Sequence, residues 1–328
     1  MTVIDNFDLN LDRDRVHDYI MDFPGGCAVT MGKFDGIHLG HRKLMQAIVS
    51  HKDMNAGENG SNGKNSMGAV AIAFGNAPHK IAASGMHKLT TKEERRYLLQ
   101  DYGIDLLIEF PFTEEFRNMR AYVFVQNVLQ DLLHSRFVVV GSDFRFGRNR
   151  EGDTEFLKRQ GLLSGFYTGI VEKETFQGED ISSTRIMKAL ESGNLALTNQ
   201  LLGHDYLIMG RIRQGKKLGR TIGFPTINIW PEPEKILPAN GVYASRVHLP
   251  EENRYYDAIT NIGLRPTVED GAGINTETHL FDCDADLYGK NAVVFLKEFI
   301  RPEMRFSGVD ELSAQIAVDR EKAINILR

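Results

Sequence analysis

The sequence is poor in the features that mark secreted, membrane-embedded or nucleic-acid-binding proteins. It has two cysteines, Cys27 and Cys283, in 328 residues. They lie far apart without metal-ligand spacing, which argues against a disulfide framework or a cysteine metal site; both are expected to pack as small buried side chains. No apolar run approaches the roughly 20 residues that a membrane span needs. The first twenty residues (MTVIDNFDLNLDRDRVHDYI) are acidic and lack the apolar centre of a signal peptide. Positive charge is not in excess: 39 Lys and Arg stand against 44 Asp and Glu, a formal net charge of −5. With no general field for nucleic acid, any phosphate site must be built locally. No internal repeat is visible. A cytoplasmic protein without nucleic-acid or membrane partners, and at most weakly self-associating, is expected.

What is present is ordinary globular composition, with 42% hydrophobic and 25% charged residues, in a chain long enough for two cores. The first 180 or so residues alternate strand and helix patterns. Candidate strands are Cys27–Met31, Ala69–Phe74, Asp105–Glu109, Phe137–Val140 and Gly165–Val171. Candidate helices are His38–Ser50, Thr91–Tyr102, Ala121–Leu133 and Thr154–Leu163. Such alternation predicts an α/β domain with a parallel sheet and helices on both faces. Ligands of such sheets bind beyond the carboxyl ends of the strands, where the turns after Met31 and Val140 would lie.

A Gly-, Asn- and Ser-rich stretch, Met54–Gly68, reads as a surface loop. Ile181–Gly193 has Ser182 or Ser183 as helix N-cap and Gly193 as C-cap, and Asn194–Leu202 forms a second short helix closed by Gly203. From Tyr206 to Phe299 the pattern changes to short β-type segments separated by turns, which predicts an antiparallel barrel or sandwich. Asp310–Leu327 is an amphipathic helix, with Leu312, Ile316, Ala323, Ile324 and Leu327 as expected core contacts. The predicted organisation is residues 1–185, a helical junction at 186–204, and a barrel at 205–328.

The run Gly32–His41, GKFDGIHLGH, follows an apolar strand and opens a helix. A strand, a Gly-rich turn and a helix N-terminus make an anion site, because backbone N–H groups and the helix dipole point at a phosphate. His38 and His41 lie three apart on that first turn, share a face and can donate to phosphoryl oxygens. Against this stands the bland alternative of two solvated or capping histidines beside a common turn.

In the C-terminal half, Gly219–Asn228 reads GRTIGFPTIN. Pro225 biases Phe224 to an extended form, and Thr226 and Asn228 then face the same way. A hydroxyl and an amide oxygen two residues apart suit a hard cation such as Mg²⁺. A buried turn whose Thr and Asn satisfy backbone groups is the alternative. Glu277 sits in a β-type segment, on the same face as His279 and opposite Thr276 and Thr278, as the one carboxylate of an apolar and hydroxylic stretch.

These runs, with GSDFRFG (Gly141–Gly147), ISSTR (Ile181–Arg185), PANGVY (Pro238–Tyr243), NIGLRPT (Asn261–Thr267), ETHLFD (Glu277–Asp282), DLYG (Asp286–Gly289) and FIRPEMRF (Phe299–Phe306), resemble the prokaryotic bifunctional riboflavin kinase/FMN adenylyltransferase family over nearly the whole chain. The resemblance implies a Rossmann-like nucleotidyltransferase domain followed by a β-barrel kinase domain. It implies two reactions: ATP-dependent phosphorylation of riboflavin to FMN, then adenylylation of FMN by ATP to FAD and pyrophosphate. ATP, riboflavin and FMN would be substrates, FAD the product and Mg²⁺ the cofactor. By the same resemblance, His38 and His41 would bind ATP phosphates and stabilise the transition state, with Gly32, Phe34, Asp35, Gly36 and Gly40 shaping their loop. Ser183, Thr184 and Arg185 would hold phosphates at another helix start. Asp143, Phe144, Arg145 and His79 would lie near the flavin. In the kinase domain Gly219, Thr226 and Asn228 would hold ATP, Thr226 and Asn228 also the metal, and Glu277 would be the base.

Three departures fall in the N-terminal half. Ala73–Lys80 (AFGNAPHK) replaces the family's Phe-x-Pro-His-Pro run, Met187 stands where a second Arg is common, and Lys33 replaces an uncharged residue. They leave open a kinase with a weakened transferase half, and a flavin-binding regulator.

Overall fold

The computed structural model describes residues 1–9, 11–54, 66–75, 87–215, 219, 223–264, 274–283 and 285–328. Two compact units divide the chain: residues 1–86 with 95–181, and residues 87–94 with 182–328.

The first unit is built on a six-stranded parallel sheet in the order β1-β4-β3-β2-β5-β6. Its strands are β1 (Thr2–Ile4), β2 (Cys27–Gly32), β3 (Gly68–Phe74), β4 (Leu106–Phe110), β5 (Ser135–Gly141) and β6 (Tyr167–Val171), and a short antiparallel ribbon of β7 (Thr175–Phe176) and β8 (Glu179–Asp180) follows them. The central strands are apolar along their length because both faces are covered. Alternation sends Val29 and Met31 of β2 to one core, with Val138, Phe124 and Leu129. Ala28 goes to the other, against Leu44, Met45 and Ile48 of the helix Leu39–Met54. The chain builds outward from β2 through β3 and β4, then returns to place β5 on the opposite side of β2. The β2/β5 boundary is therefore the topological switch point, where turns at the carboxyl ends diverge and leave a crevice.

The second unit carries a six-stranded antiparallel sheet in the order β10-β13-β12-β11-β14-β9. Its strands are β9 (Tyr206–Arg211), β10 (Ile227–Ile229), β11 (Gly241–Leu249), β12 (Arg254–Leu264), β13 (Ile274–Leu280) and β14 (Asn291–Arg301). An antiparallel bridge between Arg213 and Asn228 brings the outer strands together, curling the sheet into a barrel. The helix Val309–Leu327 packs Ile316, Ala323, Ile324 and Leu327 on Val242, Ala244, Ile259 and Phe281. Leu312, expected in that core, instead lines the cavity described below. Asp319 of this helix is buried and takes Nε and Nη2 of Arg301, at the end of β14, at 2.9 and 2.7 Å.

Two short helices, Ser183–Glu191 and Leu195–Leu202, precede the barrel. Ser182 is the N-cap of the first, its hydroxyl accepting from the Arg185 N–H. Cys27 is buried as expected, but Cys283 is only partly buried, because it follows β13 beside a surface cleft.

Segment 87–94 is held to the second unit by a buried ion pair. Lys235 Nζ donates to Glu94 Oε2 at 2.7 Å and to the Leu89 carbonyl at 2.6 Å, with both charged side chains essentially inaccessible. Glu94 also closes a capping box with Thr91 and accepts from the Met209 N–H. Burial pushes the Glu94 carboxyl up from its ordinary value, and Lys235 opposes that shift.

Candidate functional site

Two constellations stand out, one in each unit. In the first, the chain leaves β2 through a turn in which Phe34, Gly36 and Ile37 all have positive φ, at 50°, 86° and 45°. A left-handed phenylalanine and isoleucine each carry strain of about 1–3 kcal/mol. Burial holds them there, since both side chains are fully enclosed. The His38 carbonyl accepts the Arg42 N–H at 3.0 Å, so His38 caps the helix and His41 is its third residue. Residues at these two positions face each other, and the imidazoles stack with centroids 3.7 Å apart. Phe34 meets His41 edge-on at 5.3 Å. His41 Nδ1 is buried without a hydrogen-bond partner. Burial first, and His38 second, hold the His41 imidazole well below its ordinary value, so it is neutral at pH 7. No acidic side chain lies in the first turn of this helix to compete for its dipole.

The turn after β5 comes out beside it, since β5 pairs with β2 in parallel, Val138 opposite Val29. Asp143 is ion-paired with Lys173 at 3.2 Å and Arg145 with Asp153 at 3.3 Å. Phe144 stacks on Phe146. His38, His41 and the Asp143–Arg145 turn thus share one edge of the sheet, with Gly32, Asp35 and Gly40 in the connecting turn and helix start. Ser183, Thr184 and Arg185 open a helix that falls in the other compact unit. His79 and the Pro78 segment lie outside the described residues.

In the second unit, a cavity of about 210 Å³ opens on one face of the barrel. Phe224, Ile259, Met304 and Leu312 give it apolar walls; Thr226, Asn261, Glu277 and His279 supply polar groups. Gly219, Glu303 and Phe306 also border it. Gly219 is glycine for a steric reason: a Cβ there would come within 2.3 Å of the Phe224 carbonyl oxygen. Thr226 also lines a smaller cleft, of about 40 Å³, with Cys283 and Tyr288. It therefore stands between two openings.

Alternation along β13 puts Asn275, Glu277 and His279 on one face. His279 Nδ1 lies 2.9 Å from the Pro225 carbonyl, which ties this strand to the GRTIGFPTIN run. Burial, as the largest effect, lowers the His279 pKa. Asn228 sits directly opposite Glu277 in the β10–β13 ladder. Asn275 reaches both, donating from Nδ2 to Asn228 Oδ1 and to Glu277 Oε1, each at 3.0 Å. Its own Oδ1 is buried without a partner. Asn275 was not singled out from the sequence, although a polar residue two before Glu277 is the signal that alternation supplies.

Among the described residues no group of three or more His, Cys, Asp or Glu side chains is arranged to hold a metal ion. The donors gathered here are a hydroxyl, two amide oxygens and one carboxylate. That all-oxygen set fits Mg²⁺, which is commonly held by one or two carboxylates together with substrate phosphates and water. Among the described residues no helix is long and apolar enough to cross a membrane.

Residues 20–185 match the family model described as FAD synthetase, and residues 202–327 match that described as riboflavin kinase. The chain is 40% identical to the bifunctional riboflavin kinase/FMN adenylyltransferase of Escherichia coli K12 over 300 residues, covering 90% of each chain. It is 34% identical to the Haemophilus influenzae protein of the same description, covering 91% of this chain and 93% of that one. A solved structure described as a macrolide-efflux protein from Streptococcus pneumoniae superposes with a TM-score of 0.74 at 28% identity, covering 92% of this chain and 94% of that one.

Proposed function

The chain belongs to the bifunctional riboflavin kinase/FMN adenylyltransferase family, and on that premise we propose that it makes FAD from riboflavin in two steps, each using ATP. The carrying observation is Glu277 on the wall of the 210 Å³ cavity, with Asn228 opposite it in the ladder and Thr226 between that cavity and the smaller cleft. Riboflavin occupies the larger cavity and ATP approaches from the cleft side. Glu277 takes the proton of the ribityl hydroxyl as its oxygen attacks the terminal phosphorus of ATP, and ADP leaves. A positioned base of this kind contributes about 10²–10⁴-fold. Thr226 and Asn228 would hold Mg²⁺, which supplies charge neutralisation on the phosphates. Gly219, lacking a Cβ, lets its backbone lie against the Phe224 carbonyl beside the nucleotide.

The N-terminal unit takes the second step. A phosphate oxygen of FMN attacks the α-phosphorus of ATP, forming the FAD pyrophosphate bond and releasing pyrophosphate. No protein nucleophile is required. Positioning and charge stabilisation carry the step, supplied by His38, His41 and the backbone from Gly32 through Asp35, Gly36 and Gly40. A neutral His41 can donate one N–H to a phosphoryl oxygen, and bound triphosphate would draw it toward the imidazolium. Asp143, Phe144, Arg145 and His79 contact the flavin; Ser183, Thr184 and Arg185 hold phosphates. Use of ATP in both steps suits the cytoplasm.

The test is a chromatographic time course with riboflavin, ATP and Mg²⁺. FMN appearing and then converting to FAD is expected. FMN that accumulates even with excess ATP would restrict the chain to the kinase step, and neither product would end the reading.

A further inference from the structure

Resting on the kinase reading of the C-terminal half, we infer that Asn275 is a positioning residue for phosphoryl transfer, holding the Glu277 carboxylate and the Asn228 amide in register through one NH₂ group.

The assignment follows from donor and acceptor chemistry. An ionised carboxylate only accepts hydrogen bonds. Asn275, 3.0 Å from Glu277 Oε1, must therefore turn its NH₂ toward it. The second proton of that NH₂ then points at Asn228, also 3.0 Å away. Asn228 must answer with its oxygen. The reverse orientation of either amide would set oxygen against oxygen or NH₂ against NH₂. Asn228 is buried, and its Nδ2 is packed on Gly215, where a Cβ would come within 2.5 Å. A carbonyl oxygen has two lone pairs; Asn275 uses one, and the other is the donor that a cation requires. Among the described residues, Asn275 is the partner that makes Asn228 present an oxygen rather than an NH₂, and an NH₂ cannot bind a metal ion.

A second observation points the same way. Asn275 Oδ1 is buried and has no partner. Buried acceptors are ordinarily paired. An orphaned amide oxygen beside a carboxylate and another amide oxygen is what a hydrated cation would complete.

The experiment is a calorimetric titration of the full chain with Mn²⁺·ATP, together with steady-state kinase assays, for wild type, Asn275→Leu, Asn228→Ala and the double variant. Asn275→Leu should weaken Mn²⁺·ATP about ten-fold or more, the scale of losing a charge-assisted hydrogen bond. It should lower kcat and leave the riboflavin KM unchanged. Because Asn275 acts through Asn228, the double variant should bind Mn²⁺·ATP no more weakly than the worse single variant. Additive losses, or an unchanged affinity in Asn275→Leu, would overturn the inference. So would a riboflavin KM that rises in step with a falling melting temperature, which marks a merely structural role. If the wild type makes no FMN, the kinase reading fails by itself. The titration then still decides whether Asn275 governs metal–nucleotide binding through Asn228.

Discussion

Glu277 and Asn228 face each other across an antiparallel ladder, although they stand 49 positions apart in the sequence. Neither lies on a mobile loop tip. The base and the amide proposed as metal ligand are therefore positioned by backbone hydrogen bonds of the barrel, and disturbing either chemically should leave the fold in place.

Glu277→Gln keeps size and shape and removes the base. FMN formation should fall by about 10²–10⁴-fold, while FAD formation from supplied FMN stays at the wild-type rate. Separate chromatographic assays of the two steps check this. An unchanged FMN rate would remove Glu277 from the chemistry.

His41→Ala should have the opposite pattern. Loss of one preorganised donor at a reacting phosphate costs about 10²–10³-fold, here in FAD formation alone. Loss of both reactions in a protein that still melts cooperatively would contradict two separate sites.

Acid should destabilise the first unit through His41. Its folded-state value lies below the ordinary 6.5. Between the two values the unfolded chain binds a proton that the folded chain does not, so stability rises with pH across that window. The full penalty is present below the folded value and is gone above the unfolded one. His41→Gln should flatten the acid side of a urea-stability profile taken from pH 7.5 downward. An equally steep profile in the variant would place the acid sensitivity elsewhere.

Lys235→Ala would leave the Glu94 carboxylate buried without its counter-ion. Breaking a buried pair from one side costs about 3–5 kcal/mol, whereas replacing both partners with apolar side chains is often neutral or stabilising. Melting temperature should therefore drop sharply in Lys235→Ala and recover in a Lys235→Met, Glu94→Leu double variant. Equal instability of the two would mean that the pair does not anchor segment 87–94.

Much of this was legible before the structure. Cys27–Met31 and Ala69–Phe74 declared themselves because parallel strands covered on both faces read as unbroken apolar runs. The placement of Glu277 with His279 on one wall of the cavity followed from the two-residue period of extended chain. Strand β1 escaped notice because three residues, Thr2–Ile4, carry no period to detect. The helix read at Ala121–Leu133 is α-helical only over Ala121–Phe124 and widens to a π-helix over Val125–Gln130. Apolar spacing does not distinguish these windings well. The role of Asn275 depends on which way an amide faces, a property of its neighbours rather than of its own strand. The excursion of 87–94 into the second unit was invisible for the same reason, since its signal is a single lysine far along the chain.

That lysine has a consequence for synthesis. Glu94 and Lys235 are 141 residues apart, and at about 5–20 residues per second a ribosome needs roughly 7–30 s to make that interval. Throughout it, the Glu94 carboxylate has no Lys235 and must remain in water. The parallel sheet can complete β6 in that interval, but segment 87–94 has to wait undocked. The capture of this early-made strip of chain then has to await a late-made domain, and a chain stalled before Lys235 would present that strip, uncovered, to the quality-control machinery.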